Sequence, residues 1–80
     1  MNIQTIVEHS DLGKVAELDR LEAHLQGRLT GRVRQVRLVL RGVGLILQGN
    51  APTYYGKQLA QHAVMEATAM PILANEIEVS

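Results

Sequence analysis

Eighty residues carrying eight basic side chains, eight acidic ones and no cysteine exclude several functions at once. A formal net charge of zero gives no long-range field toward nucleic acid or an anionic bilayer, and without a thiol there is no disulfide, thiolate nucleophile or thiolate metal site. Hydrophobic residues make up 46% of the chain, but with neither Phe nor Trp the core must be built from Leu, Val, Ile and Ala; a domain of this size buries only about 60–65% of the surface its unfolded chain exposes, so association with a partner or a second copy is expected.

Residues 1–10 form an arm of ambiguous structure, because Ile3, Ile6 and Val7 suit a strand, a helical lead-in or a frayed end. They carry neither a basic run nor a continuous apolar segment, so no signal peptide is read, and the longest apolar run is far short of the roughly 20 residues that span a bilayer. The expected address is the cytoplasm. Residues 11–80 read as one domain. From Ser10 or Asp11, either of them a good N-cap, Leu12, Val15, Leu18, Leu21 and Leu25 recur at spacings of three and four, which predicts an amphipathic helix over 11–27 ending at Gly27.

From Val33 the period changes to two. Val36, Leu38 and Leu40 alternate with Gln35, Arg37, Val39 and Arg41, predicting a strand over 34–41 with the first set on the core. Gly42 and Val43 then make a tight hairpin, with Gly42 at the position where a type II′ turn needs positive φ. Counting outward pairs Arg41 with Gly44, Leu40 with Leu45, Leu38 with Leu47 and Val36 with Gly49, a register that matches large aliphatics across the strands. Gly49, on the inner face of a strand over 44–50, permits a bulge or a close backbone approach. Thr53 caps a second helix over 53–69, with Tyr55, Leu59, Ala60, Ala63, Val64 and Ala67 on its buried face, and Pro71 stops it. A last strand over 72–79 alternates Leu73, Asn75, Ile77 and Val79 with Ala74, Glu76 and Glu78. The expected fold class is α+β, in the order α-β-β-α-β, a small three-stranded sheet with two helices packed on one face.

On these residues the chain resembles the BON domain, the bacterial osmotic-stress and nodulation module, over roughly residues 33–80. Leu45, Leu47 and Gly49 match its V-x-L-x-G strand, Ala60 and Ala63 its alanine-rich helix, and Asn75, Ile77 and Val79 its closing strand. The family's turn glycine stands one position later than Gly42, where this chain has Val43. The resemblance implies a non-enzymatic binding module, related to stress or the envelope, that associates with phospholipid; family members are mostly exported or attached to membrane proteins.

No residues converge on chemistry. His9, His24 and His62 lack partners at metal spacing, His62 and Glu66 read as a surface pair four apart, and neither Glu8 with His9 nor Tyr54 with Lys57 is joined by a nucleophile, so no catalytic residue, metal or cofactor is expected. Arg28, Arg32, Arg34, Arg37 and Arg41 form the strongest charge cluster; it reads as a phosphate-binding patch or, for Arg37 and Arg41, as partners of Glu76 and Glu78 on the outer sheet face. Tyr54 is a contact candidate at the helix start. Asn75 is given a structural role, bonding nearby backbone, as Gly42 and Gly49 serve the turn and the strand end. Val39 opposite Ile46, with Ile72 beside them, puts aliphatics where a one-layer domain should be polar, and an apolar patch there marks an interface.

The functional expectation is a small interaction module that docks on a protein partner or a phospholipid surface. Its candidate contacts are Arg37, Val39, Arg41, Ile46 and Tyr54. Self-association through the outer face is expected, with weak, salt-sensitive binding to anionic phospholipid. The alternative is a nucleic-acid-binding domain using the Arg28–Arg41 cluster, which would require affinity that falls steeply with salt.

Overall fold

In the computed structural model, the backbone is described over residues 3–80 and side chains from Ala16 onward. The elements are α1 (Ile3–Arg28), β1 (Arg34–Arg41), β2 (Gly44–Ala51), α2 (Tyr54–Ala67), β3 (Ile72–Asn75) and β4 (Glu78–Val79). The order is therefore α-β-β-α-β, with the last expected strand interrupted at Glu76–Ile77. β2 lies in the middle, antiparallel to β1 and parallel to both β3 and β4. Both helices pack on one face, as expected. There Leu25 and Leu29 of α1 and Ala60, Ala63 and Val64 of α2 meet Val36, Leu38, Leu45, Leu47 and Ile77.

α1 is longer than the leucine stripe suggests. Ile3, Ile6 and Val7 stand at helical spacing and the helix begins there, so Ser10 and Asp11 lie inside it instead of capping it. Gly27 is also interior. Leu29, 3% exposed, continues the stripe one turn beyond Leu25, and the left-handed residue is Gly31, at φ +83°. The Thr30 hydroxyl donates to the Gln26 and Gly27 carbonyls (2.9 and 3.1 Å), satisfying acceptors that the helix end leaves open.

The hairpin follows the counted register: Arg41 faces Gly44, Leu40 faces Leu45, Val39 faces Ile46 and Leu38 faces Leu47. Gly42 has φ +61° while Val43 does not share positive φ, the pattern a type II′ turn requires. The expected Val36–Gly49 pairing is replaced by a bulge. Arg37 faces Gln48 but Arg34 faces Asn50, so Gln35 and Val36 together oppose Gly49. Gln35 takes φ +56° and Gly49 φ +152°, and a Cβ on Gly49 would stand 3.0 Å from the Arg34 carbonyl oxygen. Leu40, expected on the core, is 36% exposed, at the hairpin end of β1.

α2 starts as expected, with Thr53 Oγ1 accepting the Gly56 N–H at 3.3 Å, and ends two residues early at Ala67, where the Thr68 N–H donates to the Val64 carbonyl. Its buried stripe begins at Gly56, not at Tyr55. A Cβ on Gly56 would come within 2.4 Å of the Arg32 carbonyl oxygen, so the helix backbone rests against the loop between α1 and β1. That docking rotates Tyr55 outward to 55% exposure, with the Arg32 guanidinium 5.4 Å from its ring centre. Ala67, also expected inside, is exposed.

The last strand is offset by a second irregularity. Leu45 pairs with Ile72 and Ile46 with Ala74, leaving Leu73 as an extra residue. Ile72 thus packs against the core, contrary to the outward placement expected, and Leu73 turns to the outer face. Asn75 faces inward beside Leu47. Its Nδ2 donates to the Lys57 carbonyl at 3.0 Å and to Gln61 Oε1 at 3.3 Å, while its Oδ1 accepts the Ile77 N–H at 3.2 Å. This one amide breaks the strand and ties it to α2.

The free border of β1 is covered by α1. Glu22 Oε2 accepts the Leu38 N–H at 2.9 Å and Gln26 Nε2 donates to the Val36 carbonyl at 3.3 Å, so side chains one helical turn apart take the place of a neighbouring strand. Glu22→Ala leaves the Leu38 N–H to water. The expected result is a loss of about 1 kcal/mol, with Glu22→Gln retaining most of the stability; urea midpoints and Leu38 amide exchange check it.

Candidate functional site

Alternation along β1 and β2 sends Arg37, Val39 and Arg41, and Gly44, Ile46 and Gln48, to the sheet face opposite the helices. β3 adds Leu73 and Ala74, and Glu76 follows them. Three levels result: Arg41–Gly44 with Leu73, Val39–Ile46–Ala74, and Arg37–Gln48–Glu76, the last joined by a hydrogen bond of 3.4 Å from Gln48 Nε2 to Glu76 Oε1. The face is apolar at its centre, basic along β1 and acidic along the opposite border.

The apolar centre differs from the expected one. Ile46 is only 4% exposed, since the central strand leaves it between Val39 and Ala74. The exposed aliphatic is Leu73, at 54%. Its side chain lies over Gly44, where a Cβ would meet Leu73 Cγ at 2.5 Å, so the bare backbone at Gly44 is the seat for this leucine. Neither residue was singled out by the alternation; the missed signal is a glycine on the outer face, one strand away from an unpaired leucine.

The arginine cluster is divided. Arg28 leaves the sheet and forms an ion pair with Glu66 at 2.8 Å, bridging α1 and α2, so Glu66 is engaged there and not by His62. Arg32 stacks on Tyr55. Arg34, Arg37 and Arg41 remain exposed along β1. The expected pairing of Arg37 and Arg41 with Glu76 and Glu78 does not form: β2 stands between them, and Arg28–Glu66 is the ion pair found among the described residues. Tyr54, 62% exposed, sits at the start of α2, apart from the outer-face residues.

Among the described residues no three His, Asp or Glu side chains are grouped to hold a metal, and no helix is long and apolar enough to cross a membrane. His9 and Glu8 lie outside the residues whose side chains are described. No family model matches the chain, and neither a curated protein nor a solved structure matches it at a significant level.

Proposed function

We propose that this chain is a small non-enzymatic interaction module of BON type that docks its outer sheet face on a protein partner. The observation that supports this reading is the division of the sheet: two helices cover one face, while the other presents Leu73 and Val39 around a nearly buried Ile46, with Arg37 and Arg41 along the β1 border and Gln48 and Glu76 across one end. Exposed aliphatic side chains bordered by polar and charged ones suit a docking surface. With the proposal go a cytoplasmic address and, through the BON resemblance, a role in stress or at the envelope.

Phospholipid and nucleic acid fit this face less well. Arg34, Arg37 and Arg41 are exposed, but Glu76 and Glu78 share the surface and would stand against any extended array of phosphates. A photo-crosslinking side chain tests the choice in cells that make the protein. Val39→p-benzoylphenylalanine should capture protein, and the same substitution at His62, on the exposed face of α2, should not. Capture from position 62 alone, or capture of lipid or nucleic acid alone from position 39, would overturn the reading.

A further inference from the structure

We infer that the partner is a second copy of this chain, seated face to face on the outer sheet surface about a two-fold axis parallel to the strands. The inference rests on the docking reading above and adds the identity and orientation of the occupant. It follows from how the charges are arranged. Arg37 on β1 and Glu76 beyond β3 flank Gln48 of β2 at one level, and Ile46 marks the apolar level next to it.

Two in-plane two-folds bring such faces together. An axis across the strands would set Arg37 of one copy against Arg41 of the other, near Val39 on Val39, and would place like charges in contact. An axis along the strands exchanges left for right and keeps the level. It sets Arg37 of each copy against Glu76 of the other, Val39 against Ala74, and Ile46 beside its own symmetry mate. The Arg37–Glu76 ion pair is then formed twice by the same operation, as an isologous interface requires. Aligned sheets packed about 10 Å apart leave room for these long side chains to meet. The acidic residues that compete with a phosphate surface are the ones that complement a second copy.

The size of the face sets the strength. Two strands about 27 Å long and a third row broken between β3 and β4, about 4.8 Å apart, offer at most roughly 400 Å² per copy, from residue rise and strand spacing. The total of about 800 Å² is below the roughly 1,200 Å² of stable complexes. A transient dimer is therefore expected, dissociating at tens to hundreds of micromolar.

Sedimentation of the full chain between about 10 μM and 1 mM, with amide spectra confirming that each variant is folded, tests this. Wild type should self-associate, with amide shifts on dilution at Arg37, Val39, Leu73 and Glu76 and none on the exposed face of α2. Arg37→Glu alone and Glu76→Arg alone should each weaken association about tenfold, since each places like charges together twice. Mixing the two variants should restore it to near the wild-type value, because both contacts then join opposite charges. A wild-type monomer at 1 mM, single variants that associate as well as wild type, a mixture that stays dissociated, or shifts centred on α2 would overturn the inference. The photo-crosslink from position 39 to a different protein would leave the docking reading standing after such a failure; a silent position 39 would remove both.

Discussion

Gly56→Ala should lower the thermal midpoint by roughly 10–20 °C, the largest effect expected of a single methyl group among the described glycines. The added carbon would stand 2.4 Å from the Arg32 carbonyl oxygen and 3.2 Å from Ala51 Cβ. The first of these is backbone, held by the Arg32 N–H to Leu29 carbonyl bond (2.8 Å) at the end of α1, and it cannot turn aside as a side chain would. Relief requires α2 to move away from the loop, which loosens Ala60, Ala63 and Val64 in the core together. Overpacking of this kind costs about 3 kcal/mol, against the roughly 0.5–1 kcal/mol that alanine returns through helix propensity. A calorimetric midpoint within about 3 °C of wild type would show that the helix shifts without loss.

Gly49→Ala should cost about 2–3 kcal/mol, for a different reason. At φ +152° an L-residue is strained before any contact is considered, and such conformations cost about 1–3 kcal/mol. The new Cβ would also press on the Arg34 carbonyl oxygen at 3.0 Å and Val33 Cγ1 at 3.2 Å. The strand should respond by giving up the bulge. Urea unfolding reads the loss, and loss of the positive φ at Gln35, followed through its backbone shifts, reports whether the bulge has gone. A stability equal to wild type would mean that the strand passes this point in ordinary extended geometry.

The parts of the fold that were legible in the sequence are those governed by local period and by matching across a short turn. The Leu38–Leu47 and Leu40–Leu45 pairs follow from counting outward from Gly42, because any slip by one would turn the large aliphatics to the wrong face. Thr53 as a cap is equally local. Each irregularity defeated the counting. The bulge at Gln35–Val36 needs a non-glycine residue at positive φ, and the extra Leu73 exchanges the faces of Ile72 and Leu73, which strict alternation cannot foresee. Helical spacing to Leu59 and Ala63 puts Tyr55 on the buried face, one position short of where the contact falls. Gly56, alone within that helix, was the available sign that the backbone itself makes the contact.

The candidate site was legible in half. Arg37, Val39, Arg41 and Ile46 do share the outer face, since only strand parity is needed to put them there. Their relation to Glu76 and Glu78 was not, because cross-strand partners depend on sheet order, and here β2 separates the two charges. That separation turns an expected internal ion pair into a surface with one basic and one acidic margin.

The covering of β1 by Glu22 and Gln26 has a consequence for how large an assembly can grow. Strand-by-strand addition needs two exposed borders, one to accept a neighbour and one to present to the next, as in any head-to-tail polymer. This sheet has one border occupied by its own helix, so two copies joined through β3 and β4 would already carry a stopper at each end. Lateral growth from the folded chain terminates at a pair, and a longer run of added strands could start only from molecules in which α1 has first been released.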